Sequence, residues 1–311
     1  MNTITTGPNT VGALFAGKLD DGGFMEFGYR GLTRAKSRFQ LGTTIIDQIL
    51  PDPARLADAL RQLAQTGASL VIAHGGQNDA AARAVAAQYP NIRFVVTQGS
   101  VRGANLSSYE VRQEQSAFLA GIAAARLTKI GIVGHISGIR VRPGLLGRAA
   151  YAAGVAAGNP TVRLLTTFCG TQDDPAIAGR VANAQIAAGA DIIFTMLNAA
   201  MPGAVAACRA GGIRLIGNVR DWVAIDPVVF AGSAMADVGL GVYEACHDFV
   251  QGTWQADHIR RIGVEDPAAV RLQLAPDLPA DVTQHICAWR DRLVSGNVVL
   301  AEAFKGAEFA A

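Results

Sequence analysis

DPARLADALRQLAQTGASLVIAHGG, residues 52–76, reads as a helix handing over to a strand, and its plan occurs twice. Asp52 stands at a capping position, Pro53 in the first turn, and Gly67 ends the helix. SLVIAHGG then runs almost wholly apolar, as does a strand of a parallel sheet covered on both faces. DPAIAGRVANAQIAAGADIIFTMLN, residues 174–198, repeats the sequence of events. The offset is 122 residues from Asp52 to Asp174 and again from Gly67 to Gly189. A fixed internal offset marks a duplicated architecture.

Outward from this pair the order of elements repeats as well. VGALFAG, RFQLGTTII, SLVIAHGG and IRFVVTQG in the first half answer KIGIVGHIS, VRLLTTFCG, DIIFTMLN and IRLIGNVR in the second. Helical patterns such as NDAAARAVAAQYP lie between them. Strand and helix alternating through short connections build right-handed βαβ units. The expected fold class is therefore α/β: two similar lobes, each a parallel sheet flanked by helices. Beyond the second block, VVFAGSAM and Val242–Val250 read as a further strand and helix, GVEDPAAVRLQL as a strand, and Ala280–Leu293 as a final helix. The lobes are drawn as 1–107 with 229–253 and 108–228 with 254–300, leaving 301–311 as a frayed or loosely docked tail.

Parallel strands deliver their C-terminal ends to one edge of the sheet, where ligands of open α/β sheets bind. Two such edges facing each other would enclose a ligand cleft. The repeat pairs the candidate loops. Asp20–Met25 answers Gly138–Gly144, Ala73–Asn78 answers Thr195–Ala200, and Thr97–Ser100 answers Asn218–Trp222.

With 311 residues, half of them apolar, 17% charged and a formal net charge of +2, the chain has an ordinary globular balance. It gives no reason to invoke nucleic acid or an anionic membrane as partner. No run is long enough to span a bilayer, and MNTITTGPNT has neither the basic start nor the apolar core of a secretory leader. The protein is then cytoplasmic, or periplasmic or membrane-surface with its leader removed. Cys169, Cys208, Cys246 and Cys287 are widely spaced without histidine at ligand spacing, and read as buried free thiols. No metal or cofactor is expected.

A search for chemistry finds little. GHISG places its serine one position late for a nucleophile elbow, and no phosphate-binding glycine loop occurs. His74, at a strand end, is the one candidate general base, without a nucleophile beside it; a hydrogen-bonding role is the alternative and the preferred one. His135 reads as a buried neutral histidine and Asp174 as a helix cap. Binding without reaction fits better. Asp21, Phe24, Gln98, Asn198, Asp221 and Trp222 fall at cleft-facing strand ends, with Met25, His74, Gly75 and Gln77 in the same loops. Amides and carboxylates suit a polar small molecule, and aromatic faces a planar ring. Arg140 and Arg142 read as rim partners for Asp20 and Asp21.

Here a resemblance enters. DDGGFMEFGYRGL, residues 20–32, resembles the D-x-S-F-N-x-x-x-x-x-G-L opening of the basic membrane protein family, substrate-binding proteins of ABC importers related to the purine nucleoside receptor. NLSSYEVRQEQSAFLAGIAAARLTKIGIVGHI resembles its N-V-A-S-x-x-F-x-E-x-x-G-S-F-L-A-G segment and following strand. AAGVAAGNPTVRLL, DDPAIAG, GADIIFTMLNAAMPGAV and IRLIGNVRDW continue the likeness, from Val11 to about Gly252. The family implies a fold like the type I periplasmic binding proteins, hinged lobes closing on a ligand, and an ABC permease as partner if the protein is exported. It also implies an acid and a lysine on ribose hydroxyls. This chain departs there: Met25 replaces Asn, Gln98 an acid, Gln172 Phe, Val219 Asp, Trp222 Gln and Ala234 the lysine, while Asp221 remains. A site lacking a polar partner discriminates strongly. The expected ligand is therefore a nucleobase or other nitrogen heterocycle before a nucleoside, with Phe24 and Trp222 as stacking faces and Gln98 and Asn198 as edge readers. The protein is expected to be a monomeric binding protein and not an enzyme. The alternatives are a cytoplasmic sensing domain with the same clamp and a small-molecule hydrolase using His74.

Overall fold

The structure, a computed structural model, describes residues 9–311; most of the N-terminal stretch MNTITTGPNT lies outside the described residues. The chain divides into two compact units, one running up to Val111 and resuming over Asp237–Ile262, the other comprising Arg112–Ala236 and Gly263–Ala311.

In the first unit the described residues form one sheet of β1 (Thr10–Phe15), β2 (Gly42–Ile46), β3 (Leu70–His74), β4 (Arg93–Thr97), β5 (Leu106–Val111) and β11 (Ile259–Ile262), in the order β11-β5-β4-β3-β1-β2. Every pairing in it is parallel. Helices α2 (Pro53–Gln65) and α3 (Asp79–Ala86) bury Leu56, Leu60, Leu63 and Val85 on one face. Helices α1 (Phe24–Phe39) and α8 (Val238–Gln251) cover the other through Leu32, Val242 and Ala245.

The second unit repeats the order with β6 (Ile132–Ser137), β7 (Arg163–Phe168), β8 (Ile192–Met196), β9 (Arg214–Val219), β10 (Phe230–Ala236) and β12 (Val270–Leu274), arranged β12-β10-β9-β8-β6-β7. Only β12 runs antiparallel, against β10. Helices α6 (Pro175–Ala187) and α7 (Met201–Ala210) pack on one face. The remaining helices are α4 (Gln113–Leu127), α5 (Arg142–Gly158) and α9 (Ala280–Val294). From Gln113 to Ala125, α4 is buried on every side; past its polar first turn, Gln113–Ser116, it is apolar all round, as expected of a buried helix.

The quoted stretch folds as its residues dictate. Asp52 Oδ1 accepts from the N–H groups of Ala54 and Arg55 (3.1 and 3.0 Å). Its counterpart Asp174 accepts from Ala176 and Ile177 (2.8 and 3.2 Å). Each cap contributes about 1 kcal/mol. β3 and β8, the strands that follow, are buried throughout.

Glycine sets the distance between several helix pairs. A Cβ on Gly154 of α5 would stand 2.0 Å from the Phe118 carbonyl oxygen of α4, and one on Gly121 of α4 would stand 2.2 Å from Tyr151 O. Between α1 and α8, a Cβ on Gly31 would meet Gly239 O at 2.0 Å.

The division differs from the expected one at its edges. Residues 229–236 belong to the second unit, because β10 pairs with β9 and β12 there. Residues 254–262 belong to the first, because β11 pairs with β5. The tail from Ala301 is not loose: Phe309 N–H donates to Thr166 O (2.8 Å) and Phe309 packs on the second core. Among the thiols, all free, Cys208 and Cys246 are buried, Cys169 is half-buried and Cys287 is exposed.

Candidate functional site

Strand order places the site in each unit. In the first, β1 connects outward to β2 while β3 connects the other way to β4, so the chain diverges between β1 and β3. Loops at such a switch point leave a crevice at the strands' C-terminal ends. The second unit diverges in the same manner between β6 and β8.

In the first unit, Asp21 organises the loop after β1. Its Oδ1 accepts from the N–H groups of Gly23 (2.8 Å) and Glu26 (3.1 Å), and its Oδ2 from that of Met25 (3.1 Å). A carboxylate is favoured at a helix N-terminus, and this one anchors the start of α1. Phe24, half-buried, then stacks on His74 with ring centroids 4.4 Å apart and planes 29° apart. His74 Nε2–H donates to Phe24 O (3.0 Å), which fixes the tautomer, so Nδ1 accepts from Thr97 Oγ1 (2.7 Å). His74 is fully buried, and burial lowers its pKa to about 4 despite the bond to Phe24. It is a neutral pin holding Phe24, with neither the exposure nor the free nitrogen that a general base requires.

The loop after β3 turns at Gly75, whose φ of 106° excludes other residues. The half-buried Gln77 amide folds over it: a Cβ on Gly75 would lie 2.3 Å from Gln77 Oε1. Asn78 Nδ2 donates to the carbonyls of His74 and Gly75 (3.0 and 2.9 Å). Gln98 corrects the edge-reader expectation. It is 2% exposed, its Oε1 accepts from Val111 N–H (2.6 Å) and its Nε2 donates to Val111 O (2.9 Å). Its amide clamps the end of β5 where the chain leaves the unit. Met25 is half-buried against Gly17 and the core. Phe24, Met25 and Gln77 are thus the half-buried groups at this edge, over a frame of Asp21, His74, Gly75 and Gln98.

In the second unit, loops after β7, β8 and β9 meet at the same edge. Gln172 O accepts from the N–H groups of Asn198 (3.1 Å) and Ala200 (3.0 Å), which ties the first two loops together. Asn198 is half-buried. Asn218, the next-to-last residue of β9, is 9% exposed, and its Oδ1 is buried without a hydrogen-bond partner. Gln172 Oε1 is in the same condition. Asp221 Oδ1 accepts from Ala224 N–H (3.1 Å) and Ser233 Oγ (3.3 Å), holding the loop to β10. Trp222, expected as a stacking face, is half-buried. Its indole lies parallel to Phe230 (5.2 Å, 22°), its Nε1–H donates to Asn218 O (2.9 Å), and Arg220 sits 5.0 Å from its centroid. It seals the loop rather than standing open. Val219, just before, holds a φ of 66°, a strained conformation for a β-branched residue. Arg140 pairs with Glu308 of the tail, not with Asp20 or Asp21.

Asn218 falls in an expected loop without being singled out as a site residue, and Gln172 falls outside the expected set. A polar side chain closing an apolar strand is the signal Asn218 carried; Gln172 carried only its departure from a family phenylalanine.

His135 is the second fully buried histidine. Its Nδ1 lies 2.9 Å from Thr166 Oγ1, and burial, with the Arg148 charge, pulls its pKa to about 3. Both histidines sit below the ordinary value of 6.5. Between about pH 6.5 and 4 the unfolded chain binds more protons than the folded one, so stability falls as pH falls through that window. Calorimetric melts from pH 7.5 to 4.5 should show a decline beginning near 6.5, steepening to about 1.4 kcal/mol per pH unit for each histidine. His74→Gln should reduce the slope; an unchanged slope would remove His74 as its source.

Known proteins share this architecture. The family described as ABC transporter substrate-binding protein PnrA-like matches residues 9–293. A purine-binding protein of Brucella abortus is 24% identical over 262 residues, covering 83% of this chain and 73% of its own. The transcriptional activator protein med of Bacillus subtilis is 22% identical, covering 80% and 77%. The crystal structure of an ABC transporter solute-binding protein from Aeropyrum pernix superposes with a TM-score of 0.83 at 20% identity, over 95% of this chain and 94% of that one.

Proposed function

Because the chain belongs to the PnrA-like family of ABC transporter substrate-binding proteins, we propose that it captures a small planar polar solute for an importer's permease. The candidate contacts are the strand-end loops at the switch point of each unit. The guest is a nucleobase, a purine-like compound or another nitrogen heterocycle. The observation that carries this is the pair of buried acceptors, Asn218 Oδ1 and Gln172 Oε1, with no donor of their own. An orphaned buried acceptor costs about 1–3 kcal/mol and calls for an explanation; the N–H edge of a heterocycle supplies the missing donors. The purine-binding relative supports the same class. Ala234, 3% exposed in β10, stands where the family resemblance implies a lysine and offers no amine to a ribose hydroxyl, so a nucleoside is the lesser candidate.

Thermal-shift screening against nucleobases, nucleosides, sugars and amino acids tests this. Nucleobases should raise the melting temperature most; a response confined to sugars or amino acids would overturn it. Asn218→Leu gives a sharper outcome. Removing the orphan acceptor should leave the unliganded protein as stable or more stable, while nucleobase affinity falls by about 1–3 kcal/mol. Calorimetric titration beside a denaturation curve reads both.

The Bacillus subtilis activator motivates a second reading, a cytoplasmic sensor using the same clamp. Cell fractionation separates the two: export to the periplasm or membrane surface supports the importer, and a purely cytoplasmic protein supports the sensor. No helix of the described residues is long and apolar enough to cross a membrane.

A further inference from the structure

Arg148, on α5, keeps only 8% of its side-chain surface, and its Nε is buried with no hydrogen-bond partner. Arg140 stands in the loop after β6. Both guanidinium groups lie 4.8 Å from the ring centroid of Phe168, the last residue of β7. A single carboxylate joins the arginines: one oxygen of Glu308 accepts from Arg140 Nη2 and the other from Arg148 Nη1. Glu308 comes from far along the chain. After α9 ends at Val294 the backbone forms neither helix nor strand, yet it returns to β7, the outermost strand of its sheet. There Phe309 N–H donates to Thr166 O (2.8 Å) and Thr167 Oγ1 donates to Phe309 O (3.0 Å).

Burying a guanidinium is costly unless its donors are met. Glu308 uses one Nη of each arginine and leaves the Arg148 Nε unspent. The arrangement has the parts of a receptor for an oxyanion: two planar donor forks, an aromatic ring beneath them, and a position at the C-terminal edge of a parallel sheet. The strap that fills it is an irregular segment tied to an edge strand, which can leave without opening the sheet.

We propose that Arg140, Arg148 and Phe168 form an oxyanion-binding subsite, taking a carboxylate or phosphate group, and that Glu308 of the C-terminal tail occupies it as a competing internal ligand. The subsite lies at the same sheet edge as the acceptors of Asn218 and Gln172 but does not depend on the heterocycle reading, since an inorganic anion carries no ring. Displacing the tail is the cost of admitting an anionic guest, and the apparent affinity is reduced by the fraction of molecules in which the tail is docked.

Calorimetric titration of the full chain and of Glu308→Gln with inorganic phosphate and, separately, acetate at constant ionic strength tests this. The variant should bind one or both anions about tenfold more tightly than the unaltered chain, the gain expected if the tail is docked about nine-tenths of the time. Adding Arg140→Gln should abolish the gain. A gain with phosphate alone assigns the subsite to phosphate groups, and with acetate alone to carboxylates. No gain with either, in a variant that melts normally, overturns the proposal. A second measurement needs no substitution: amide hydrogen exchange at Phe309 in the unaltered chain should quicken in phosphate or in acetate relative to chloride of equal ionic strength. Exchange unchanged in both also overturns it. Nucleobase binding is unaffected by either failure, so the two proposals fall separately.

Discussion

Gly154→Val is expected to cost the second unit at least about 3 kcal/mol, and to leave much of it unfolded. Overpacking a core normally costs about 1–3 kcal/mol because side chains shift to make room. Here the obstacle is backbone. The first carbon added at Gly154 would stand 2.0 Å from Phe118 O and 3.1 Å from the Cα of Gly121, which faces it. Relief requires α4 and α5 to separate, and α4 is enclosed along nearly its whole length. Alanine already meets the clash, so Gly154→Ala should be destabilising as well, against the usual gain from removing a helical glycine. Urea denaturation followed by circular dichroism would read the loss. A midpoint unchanged from the parent would show that the two helices are not seated against each other as described.

Trp222→Ala is expected to lower stability by about 3 kcal/mol, the lower end of the range for a buried aromatic because the indole is half-buried. It removes the stack on Phe230, the donor to Asn218 O and the packing over Gly217, where a Cβ would lie 2.2 Å from the indole. Nucleobase affinity should fall with it, because Asn218 loses the group that holds its backbone. Trp222→Phe keeps an aromatic ring against Phe230 and should recover most of the stability without restoring the bond to Asn218 O. Denaturation and calorimetric titration on the same samples distinguish wall from platform. A variant that loses affinity at unchanged stability would make Trp222 a face for the guest, and would sink the packing account.

Much of this molecule can be read along its chain. The twice-used Asp-Pro-Ala start is local chemistry, and its caps form as the residues require. The apolar runs place the parallel strands that line each switch point. β11 escapes because Ile-Arg-Arg-Ile has no apolar run, and its partner β5 is remote in sequence. The crossings after Ala236 and Ile262 lie 8 and 9 residues beyond the expected 228 and 253, because the repeat gives no guide past β9. The site is harder still. A carboxylate or amide at a strand end has the same composition whether it awaits a guest or ties down its own backbone. Asp21 and Gln98 do the latter. Asn218 and Gln172 combine a place at the second unit's strand ends with a buried acceptor that has no partner, and no sequence displays the second.

The interleaving of the two units bears on how the protein is born. The first unit takes its α8 and β11 from Asp237–Ile262, made only after the ribosome has passed Arg112–Ala236. At about 5–20 residues per second, the opening third waits roughly 8–30 s for its last helix and strand. During that interval the β5 edge and the α1 surface that later receives Gly239 stand bare on a nascent chain. A chaperone that engages early strands would find its target there, and synonymous codons that slow translation across 112–236 would lengthen the exposure.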